Sequence, residues 1–176
     1  MLMPSKNKLP NESLIYFGDT KHLPYGEKSE QAIKGYSLKI AEFLKKNNCK
    51  AIIIACNSAS STAYYHIKKN INSIPIYNVI DPIVSFISKK YCNKKIGVIG
   101  TKATIQSGIY ENKLLEKNSS LSVASLETPL LAPMIEEGFF NQEISSTIIK
   151  NYLNDKKLDK IDILVLACTH YPLIQN

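Results

Sequence analysis

The sequence predicts an α/β protein of two similar domains, each built on a parallel sheet, that face one another across a cleft. Short runs of branched apolar residues alternate with longer segments of helical periodicity, the pattern of parallel strands joined by crossover helices. Two of these runs end in a cysteine followed by small hydroxyl or amide residues, at Cys56 and Cys168. Ligands of open α/β sheets bind beyond the carboxyl ends of the strands, so we expect both thiols at the cleft.

The first half of the chain alternates strands with helices. Its longest helical segment carries one predicted apolar stripe, made of Ile33, Tyr36, Ile40, Phe43 and Leu44. A later helix is expected to begin at an aspartate N-cap with proline behind it, Asp81-Pro82. The predicted elements are a strand over 13–17, a helix over 29–46, a strand over 51–55, a helix over 60–70, a strand over 76–79 and a helix from 81 to about 90.

A second series of elements follows the polar patch at 89–95. It comprises a strand over 96–99, a helix over 104–117, a strand over 121–126, a short segment over 130–137, a helix over 141–154 and a strand over 163–166. We place the boundary near Cys92, so that residues 1–91 form an N-terminal domain carrying Cys56 and residues 92–176 a second domain carrying Cys168. Both domains are predicted to be flavodoxin-like.

The charge pattern argues against sequence-specific binding of nucleic acid. The formal net charge is +7, but all 22 basic residues are lysine. Arginine is the usual reader of guanine and the usual bidentate clamp on phosphate, so its absence counts against DNA or RNA recognition. Many lysines stand in pairs near predicted helix ends, which is typical of a solvated surface.

Two further features bound the compartment and the cysteine chemistry. No apolar run approaches the length of a membrane span, and the N-terminus lacks the apolar core of a signal peptide, so a cytoplasmic protein without a membrane partner is expected. The four cysteines form no C-x-x-C pair, which disfavours a zinc site or a disulfide framework. Cys49 and Cys92 are assigned no role.

Two thiols on opposite sides of a substrate suit a symmetric proton transfer. If one removes a proton from a carbon next to a carboxylate and the other returns one to the opposite face, the stereocentre inverts. The ordinary thiol pKa of about 8.5 keeps both protonation states accessible near neutral pH. No G-x-G-x-x-G motif is present, and this chemistry requires neither a cofactor nor a metal.

Several polar residues beside the cysteines could assist. His170 could hold or shuttle a proton beside Cys168, and Glu136 could orient a general acid or bind the substrate ammonium. Asn57, Ser58 and Thr169 offer amide and hydroxyl groups that could hold a carboxylate. Each has a purely structural alternative, since a single histidine on a turn is more often a local hydrogen-bonding group and a single glutamate a solvated one.

The ordered motifs of the chain resemble those of bacterial glutamate racemases, in the aspartate/glutamate racemase superfamily. The resemblance extends from about Leu14 to the last residue, and segments 97–110 and 128–138 also resemble the family. The motifs that carry it are Tyr16-Phe17-Gly18-Asp19-Thr20, Leu23-Pro24-Tyr25-Gly26-Glu27-Lys28-Ser29, Ala55-Cys56-Asn57-Ser58-Ala59-Ser60 and Ala167-Cys168-Thr169-His170-Tyr171-Pro172-Leu173.

The resemblance implies a cofactor-independent interconversion of L- and D-glutamate that supplies D-glutamate for peptidoglycan. It gives Cys56 and Cys168 the two proton-transfer roles, with His170 and Glu136 assisting on the Cys168 side. Ser58 stands where the family more often has threonine, and the hydroxyl is retained. The substrate-binding residues implied are Tyr25, Gly26, Asn57, Ser58, Thr169, His170, Thr101 and Thr104.

The chain departs from the family at both ends. Family members open with a strand and a Phe-Asp-Ser-Gly loop, where this chain has Met1-Leu2-Met3-Pro4, and they continue beyond the segment that ends at Asn176. Both domains are therefore expected to be incomplete. Two alternatives stay open: an inactive remnant that binds an amino acid or a protein, and a racemase of aspartate or a related dicarboxylate. Whether the protein forms a homodimer also stays open.

Overall fold

The computed structural model describes residues 10–139 and 143–174, and it is an α/β structure with two small parallel sheets. The strands are β1 (Ile52–Ile54), β2 (Ile76–Asn78), β3 (Lys95–Gly100), β4 (Ser122–Glu127) and β5 (Ile163–Ala167). The α-helices are α1 (Glu30–Lys46), α2 (Asn57–Thr62), α3 (Tyr64–Asn70), α4 (Ile80–Lys90), α5 (Lys102–Gln106), α6 (Ile109–Lys117), α7 (Leu131–Glu136) and α8 (Glu143–Leu153). Short 3-10 helices lie at Thr20–His22, Tyr25–Glu27, Lys156–Leu158 and Tyr171–Ile174. The predicted fold class is confirmed.

The first sheet pairs β1 with β2 in parallel, with Ile52 opposite Ile76 and Ile54 opposite Asn78. The second sheet has the order β4-β3-β5, also parallel, and extends from Ile96 opposite Ile163 to Gly100 opposite Ala167. In parallel sheets all carboxyl ends meet at one edge. β1 and β5 therefore each deliver the residues that follow them to the carboxyl edge of their own sheet.

Helix α1 begins where the sequence pattern predicts. Ser29 is the N-cap, its Oγ accepting from the Ala32 N–H at 3.2 Å, which satisfies one of the free donors of the first turn. The buried face of the helix includes Ile33 and Ala41, both within the core of the first sheet. The periodicity therefore predicted the helix but only part of its packed face: of the predicted stripe Ile33 is buried, whereas Phe43 exposes 47% of its surface and the small residues Ser37 and Ala41 take the buried positions.

The predicted strand at 13–17 is wrong. These residues lie in irregular backbone, and Leu14, Ile15, Tyr16 and Phe17 all expose between 44% and 70% of their surface. Phe17 instead packs edge-on against Phe43 of α1, with ring centroids 5.5 Å apart. A strand exists only where a neighbouring strand accepts its ladder, and no pairing of this segment occurs among the described residues.

Two predicted helices are each split into two shorter ones. The segment predicted at 60–70 forms α2 and α3, which meet at Ala63. The Ser60 and Ser61 hydroxyls donate to the carbonyls of Ile54 and Ser58, and such bonds compete with a continuous helix.

The segment predicted at 104–117 forms α5 and α6. They are separated by Gly108, whose φ of +65° is readily adopted only by glycine.

The predicted N-cap at Asp81 is also wrong. Helix α4 starts at Ile80, and Asn78 Oδ1 accepts from the backbone N–H groups of both Ile80 and Asp81 at 2.9 Å. The Asp81 carboxylate accepts instead from Asn78 Nδ2 and from Lys113. Asn78, two residues before the start of the helix, therefore caps its N-terminus in place of Asp81.

Helix α4 packs its buried face on the second sheet. Ile80, Val84 and Ile87 belong to the same core cluster as Ile96 and Val98 of β3. The predicted domain division between residues 91 and 92, which assigns this helix to the first domain, stays a prediction.

The helix predicted from Asn141 is present as α8 from Glu143, and its first two predicted residues lie outside the described part of the chain. Residues 1–4, which stand where the family has its Phe-Asp-Ser-Gly loop, also lie outside it. Within 10–139 and 143–174, none of the helices combines the length and hydropathy that a membrane crossing requires.

Candidate active site

The two cysteines occupy equivalent places at the ends of strands. Cys56 follows β1 by two residues, is half-buried and is the N-cap residue of α2. Cys168 directly follows β5, exposes 7% of its surface and packs in a core cluster with Leu126 and Tyr171. Each thiol is therefore held by a strand and by the turn that leaves it.

The environment of Cys168 favours its neutral form. The pKa of its thiol is raised to about 11, with burial as the largest cause and negative charge on Cys56 and Glu136 as smaller ones. The backbone N–H groups of His170 and Tyr171 oppose this rise.

Burial and nearby hydrogen-bond donors also act in opposite directions on the pKa of the Cys56 thiol. Burial raises its pKa, whereas the backbone N–H groups of Ala59 and Ser58 and the Ser58 hydroxyl lower it. Both thiols are thus protonated near neutral pH, with N–H donors beside each sulfur that favour a thiolate once it forms.

A histidine and a glutamate form a chain beside Cys168. His170 Nδ1 lies 3.5 Å from Cys168 Sγ, and His170 Nε2 lies 2.9 Å from Glu136 Oε1. The His170 and Glu136 side chains are 31% and 24% exposed. If neutral His170 carries its proton on Nε2 and donates it to Glu136, Nδ1 is free to accept a proton from the thiol.

Three buried hydroxyl groups connect the two sheets beside Cys56. Ser58 Oγ of α2 lies 2.9 Å from Thr101 Oγ1 and 3.4 Å from Thr104 Oγ1, and the two threonine hydroxyls are 3.1 Å apart. Ser58 belongs to the helix that follows the first sheet, whereas Thr101 and Thr104 follow β3 of the second. None of the three exposes more than 7% of its surface.

A glycine lies against this cluster. A Cβ on Gly26 would be 2.4 Å from Thr101 Cβ and 2.5 Å from its Cγ2, so only glycine permits the approach. Gly26 itself is buried.

Tyr25, the neighbour of Gly26, donates from its hydroxyl to Asp19 Oδ2 at 2.6 Å. The same carboxylate contacts His22 Nδ1 at 2.8 Å, and the His22 ring stacks on Tyr36 at 3.9 Å. Burial opposes ionisation of Asp19, but the hydrogen bonds from Tyr25 and His22 outweigh it and hold the pKa of Asp19 below its usual value. Burial is the largest cause of the raised pKa of Tyr25, and negative charge on Cys56 is a smaller one.

The remaining predicted residues are Asn57 and Thr169. Asn57 is the first residue of α2 and is buried, and its Oδ1 accepts from the Tyr110 hydroxyl at 2.7 Å. Thr169 is half-buried in the turn after Cys168. The predicted residues thus fall into a group around Cys56 and a group around Cys168.

Sequence reasoning did not single out Asp19, His22 or Tyr110. Asp19 and His22 stand three residues apart in the motif region, a spacing that could have suggested their contact. Nothing in the local sequence relates Tyr110 to Asn57, because 53 positions separate them. Among the described ranges 10–139 and 143–174, no group of three or more His, Cys, Asp or Glu side chains is placed to hold a metal ion.

Comparison with known proteins agrees with the α/β fold of two parallel sheets described above. The family model described as Asp/Glu/Hydantoin racemase matches residues 5–176. Glutamate racemase of Aquifex pyrophilus is 43% identical over 176 residues, which are all of this chain and 68% of that protein. Glutamate racemase 3 of Caldanaerobacter subterraneus is 42% identical over 94% of this chain and 59% of its own length.

Solved structures give the same result. A crystal structure of glutamate racemase from Francisella tularensis in complex with D-glutamate is 40% identical, with a TM-score of 0.87 over 96% of this chain and 63% of that one. The structure of the Aquifex pyrophilus enzyme is 44% identical, with a TM-score of 0.79 over 98% of this chain and 67% of that one. The chain therefore spans between 59% and 68% of the length of these relatives.

The two-sheet parallel α/β fold that the chain shares with these structures defines the class of amino-acid racemases. Family membership is decided by the match over nearly the whole chain. The chain belongs to the Asp/Glu/Hydantoin racemase family.

Proposed function

We propose that this protein interconverts L- and D-glutamate by proton transfer at the α-carbon between Cys56 and Cys168. The observation that carries the proposal is that Cys56 and Cys168 each follow a strand of a different parallel sheet, and that the Ser58 hydroxyl beside Cys56 contacts Thr101 of the second sheet. Relatives and solved structures at 40% to 44% identity that bear the name glutamate racemase support it.

The proposed reaction balances without an added reactant. One cysteine enters as thiolate and takes the α-proton, leaving the C–H electron pair on a carbanion conjugated with the substrate carboxylate. The other enters as thiol and gives its proton to the opposite face, becoming the thiolate. The reverse reaction exchanges the two roles, so each turn leaves the enzyme ready for the other enantiomer.

His170 and Glu136 are proposed to assist on the Cys168 side. Burial leaves Cys168 protonated at neutral pH, so formation of its thiolate needs an acceptor. His170 Nδ1 at 3.5 Å can take that proton, and Glu136 at 2.9 Å from Nε2 stabilises the imidazolium that results. General acid–base assistance of this type contributes about 10²- to 10⁴-fold.

The substrate-binding proposal uses neutral donors, since the chain contains no arginine. Amide and hydroxyl groups of Asn57, Ser58 and Thr169 are proposed to hold carboxylate oxygens of glutamate. Further residues proposed to line the site are Tyr25, Gly26, Thr101 and Thr104.

The test follows exchange of the α-proton of each glutamate enantiomer with solvent deuterium by NMR. Wild type should exchange both enantiomers, and Cys56→Ala and Cys168→Ala should each abolish net racemisation, because one thiol cannot serve both faces. Cys92→Ala, which changes an exposed thiol, is the matched control and should keep wild-type turnover. Substantial racemisation by either site variant would contradict the assignment.

The same assay separates the alternatives. A folded wild type that binds glutamate without exchanging its α-proton would be the remnant, and faster exchange of aspartate would identify the other dicarboxylate. The proposal includes a cytoplasmic location, a role in peptidoglycan synthesis and a homodimeric state. Sedimentation equilibrium tests the dimer, for which the expected mass is twice that of the chain and a monomer mass would overturn it.

A further inference from the structure

Tyr110 is a buried tyrosine whose hydroxyl reaches the Cys56 side of the site. It lies in α6, is 4% exposed, and packs in the core cluster of the second sheet with Leu114 and Val98. Its hydroxyl donates to Asn57 Oδ1 at 2.7 Å, although Asn57 belongs to the helix that follows the first sheet. The ring is therefore held by one sheet while its polar end contacts a residue delivered by the other.

This hydrogen bond determines which end of the Asn57 amide is available. A carboxamide has an oxygen that accepts and an NH2 group that donates two hydrogens. With Oδ1 accepting from Tyr110, the NH2 group is the end left for another partner, and that partner must be an acceptor such as a carboxylate. Burial raises the pKa of Tyr110, so the phenol keeps its proton and its donor role through neutral and mildly alkaline pH.

We infer that Tyr110 is a positioning residue that orients the Asn57 carboxamide so that its NH2 group donates to the glutamate carboxylate. The inference rests on the proposed function, and it adds a residue that does not itself touch the substrate. Asn57 lies next to Cys56 in the chain, so a rotated amide would present its oxygen to an anion beside the thiol. Electrostatic repulsion between that oxygen and a carboxylate would weaken binding.

A structural role for Tyr110 predicts a different result from a positioning role. If the hydroxyl only supports packing, removing it should have the same effect whatever residue stands at position 57. If it acts through the amide, its removal should matter only while the amide is present. A double-mutant cycle separates the two cases.

The experiment compares Tyr110→Phe, Asn57→Ala and the double variant in the racemisation assay. Tyr110→Phe keeps the ring, and we expect kcat/KM for glutamate to fall about fivefold, mainly through KM, as is reasonable for one lost hydrogen bond. In the Asn57→Ala background the same change should have no further effect. Tyr77→Phe, which removes an exposed hydroxyl on β2, is the matched control and should leave KM unchanged.

Equal losses in both backgrounds would overturn the inference, as would an unchanged KM in Tyr110→Phe. A second measurement needs no variant: the Asn57 side-chain NH2 resonances of the ¹⁵N-labelled wild type should shift when D-glutamate is added. Resonances that stay in place while glutamate binds would overturn the inference even if Tyr110→Phe does not fold. Failure of the proposed function shows separately, as wild type that does not exchange the α-proton.

Discussion

At the two thiols, burial and local N–H donors act in opposite directions on the ionisation that the proposed proton transfer needs. Burial is the larger effect at Cys168, whose pKa is raised to about 11. A thiol kept neutral in this way can deliver a proton, and with His170 and Glu136 beside it the proton can also be withdrawn. The pair is thus suited to a site where each sulfur serves alternately as acid and base.

The raised pKa of Cys168 has a consequence for stability at alkaline pH. Below about pH 8.5 the thiol is protonated in both the folded and the unfolded chain, so it contributes no pH dependence. Above that value the unfolded chain releases the proton first, and the free energy of unfolding falls until the folded thiol also titrates near pH 11. We expect titration of the Cys168 thiol to lower the free energy of unfolding by about 2 kcal/mol between pH 9 and pH 11.

Urea unfolding of wild type and Cys168→Ser across this range measures the effect. The serine variant should show a smaller decline with pH, because serine does not titrate there. Cys92→Ser, at an exposed position, should retain the wild-type decline. If the free energy of unfolding declines equally with pH in wild type and in Cys168→Ser, the buried thiol is not the cause of the decline at alkaline pH.

The sequence alone located the two strand-terminal cysteines and the polar residues next to them, because an apolar run followed by cysteine and small polar residues is a local pattern. Tyr110 has no local signal. Its contact with Asn57 depends on how two sheets pack, which residue spacing does not encode. The contacts among the Ser58, Thr101 and Thr104 hydroxyls also depend on how the two sheets pack, so the sequence did not predict them.

Among the elements, the long apolar periodicities were predicted well and the breaks were not. Helix α1 has a strong stripe and a serine N-cap, so its bounds were close to those predicted. The split at Gly108 depends on the left-handed backbone conformation of that one residue. A glycine within a helical pattern does not by itself predict such a conformation. The segment 13–17 has strand composition, but composition does not supply a pairing partner.

Helix α1 also contains a replaceable glycine. Gly35 is an exposed interior position where an added Cβ would meet no heavy atom within 4 Å. Gly35→Ala should raise the free energy of unfolding by about 0.5 to 1 kcal/mol, because alanine loses less backbone entropy on folding. Thermal unfolding should show an increase in Tm of about 2 to 4 °C, and a decrease would contradict the prediction.

For the whole molecule, one close approach between the first part of the chain and the second sheet lies at Gly26, which precedes α1, and Thr101, which directly follows β3. A methyl group on Gly26 would overlap the Thr101 side chain, and the backbone would have to move to relieve it. Gly26→Ala should therefore lower the free energy of unfolding by about 1 to 3 kcal/mol, the usual cost of overpacking. The same substitution at Gly35 is the matched control and acts in the opposite direction.

Chemical denaturation of both glycine variants tests this contrast. An unchanged midpoint for Gly26→Ala would indicate that the two parts are free to separate by a few tenths of an ångström without cost. A loss of stability in both variants would point instead to a general intolerance of alanine at glycine positions.

The hydrogen bonds of α2 have a mechanical consequence for the molecule. Asn57 is tied to Tyr110 and Ser58 to Thr101, so the helix that begins beside Cys56 is anchored on the far sheet at two consecutive positions. A relative displacement of the sheets would strain these bonds, which hold the start of α2 against the second sheet. We therefore expect the backbone beside Cys56 to follow the second sheet closely, and adjustment to an incoming amino acid to come from the Tyr25 segment and the His170 ring.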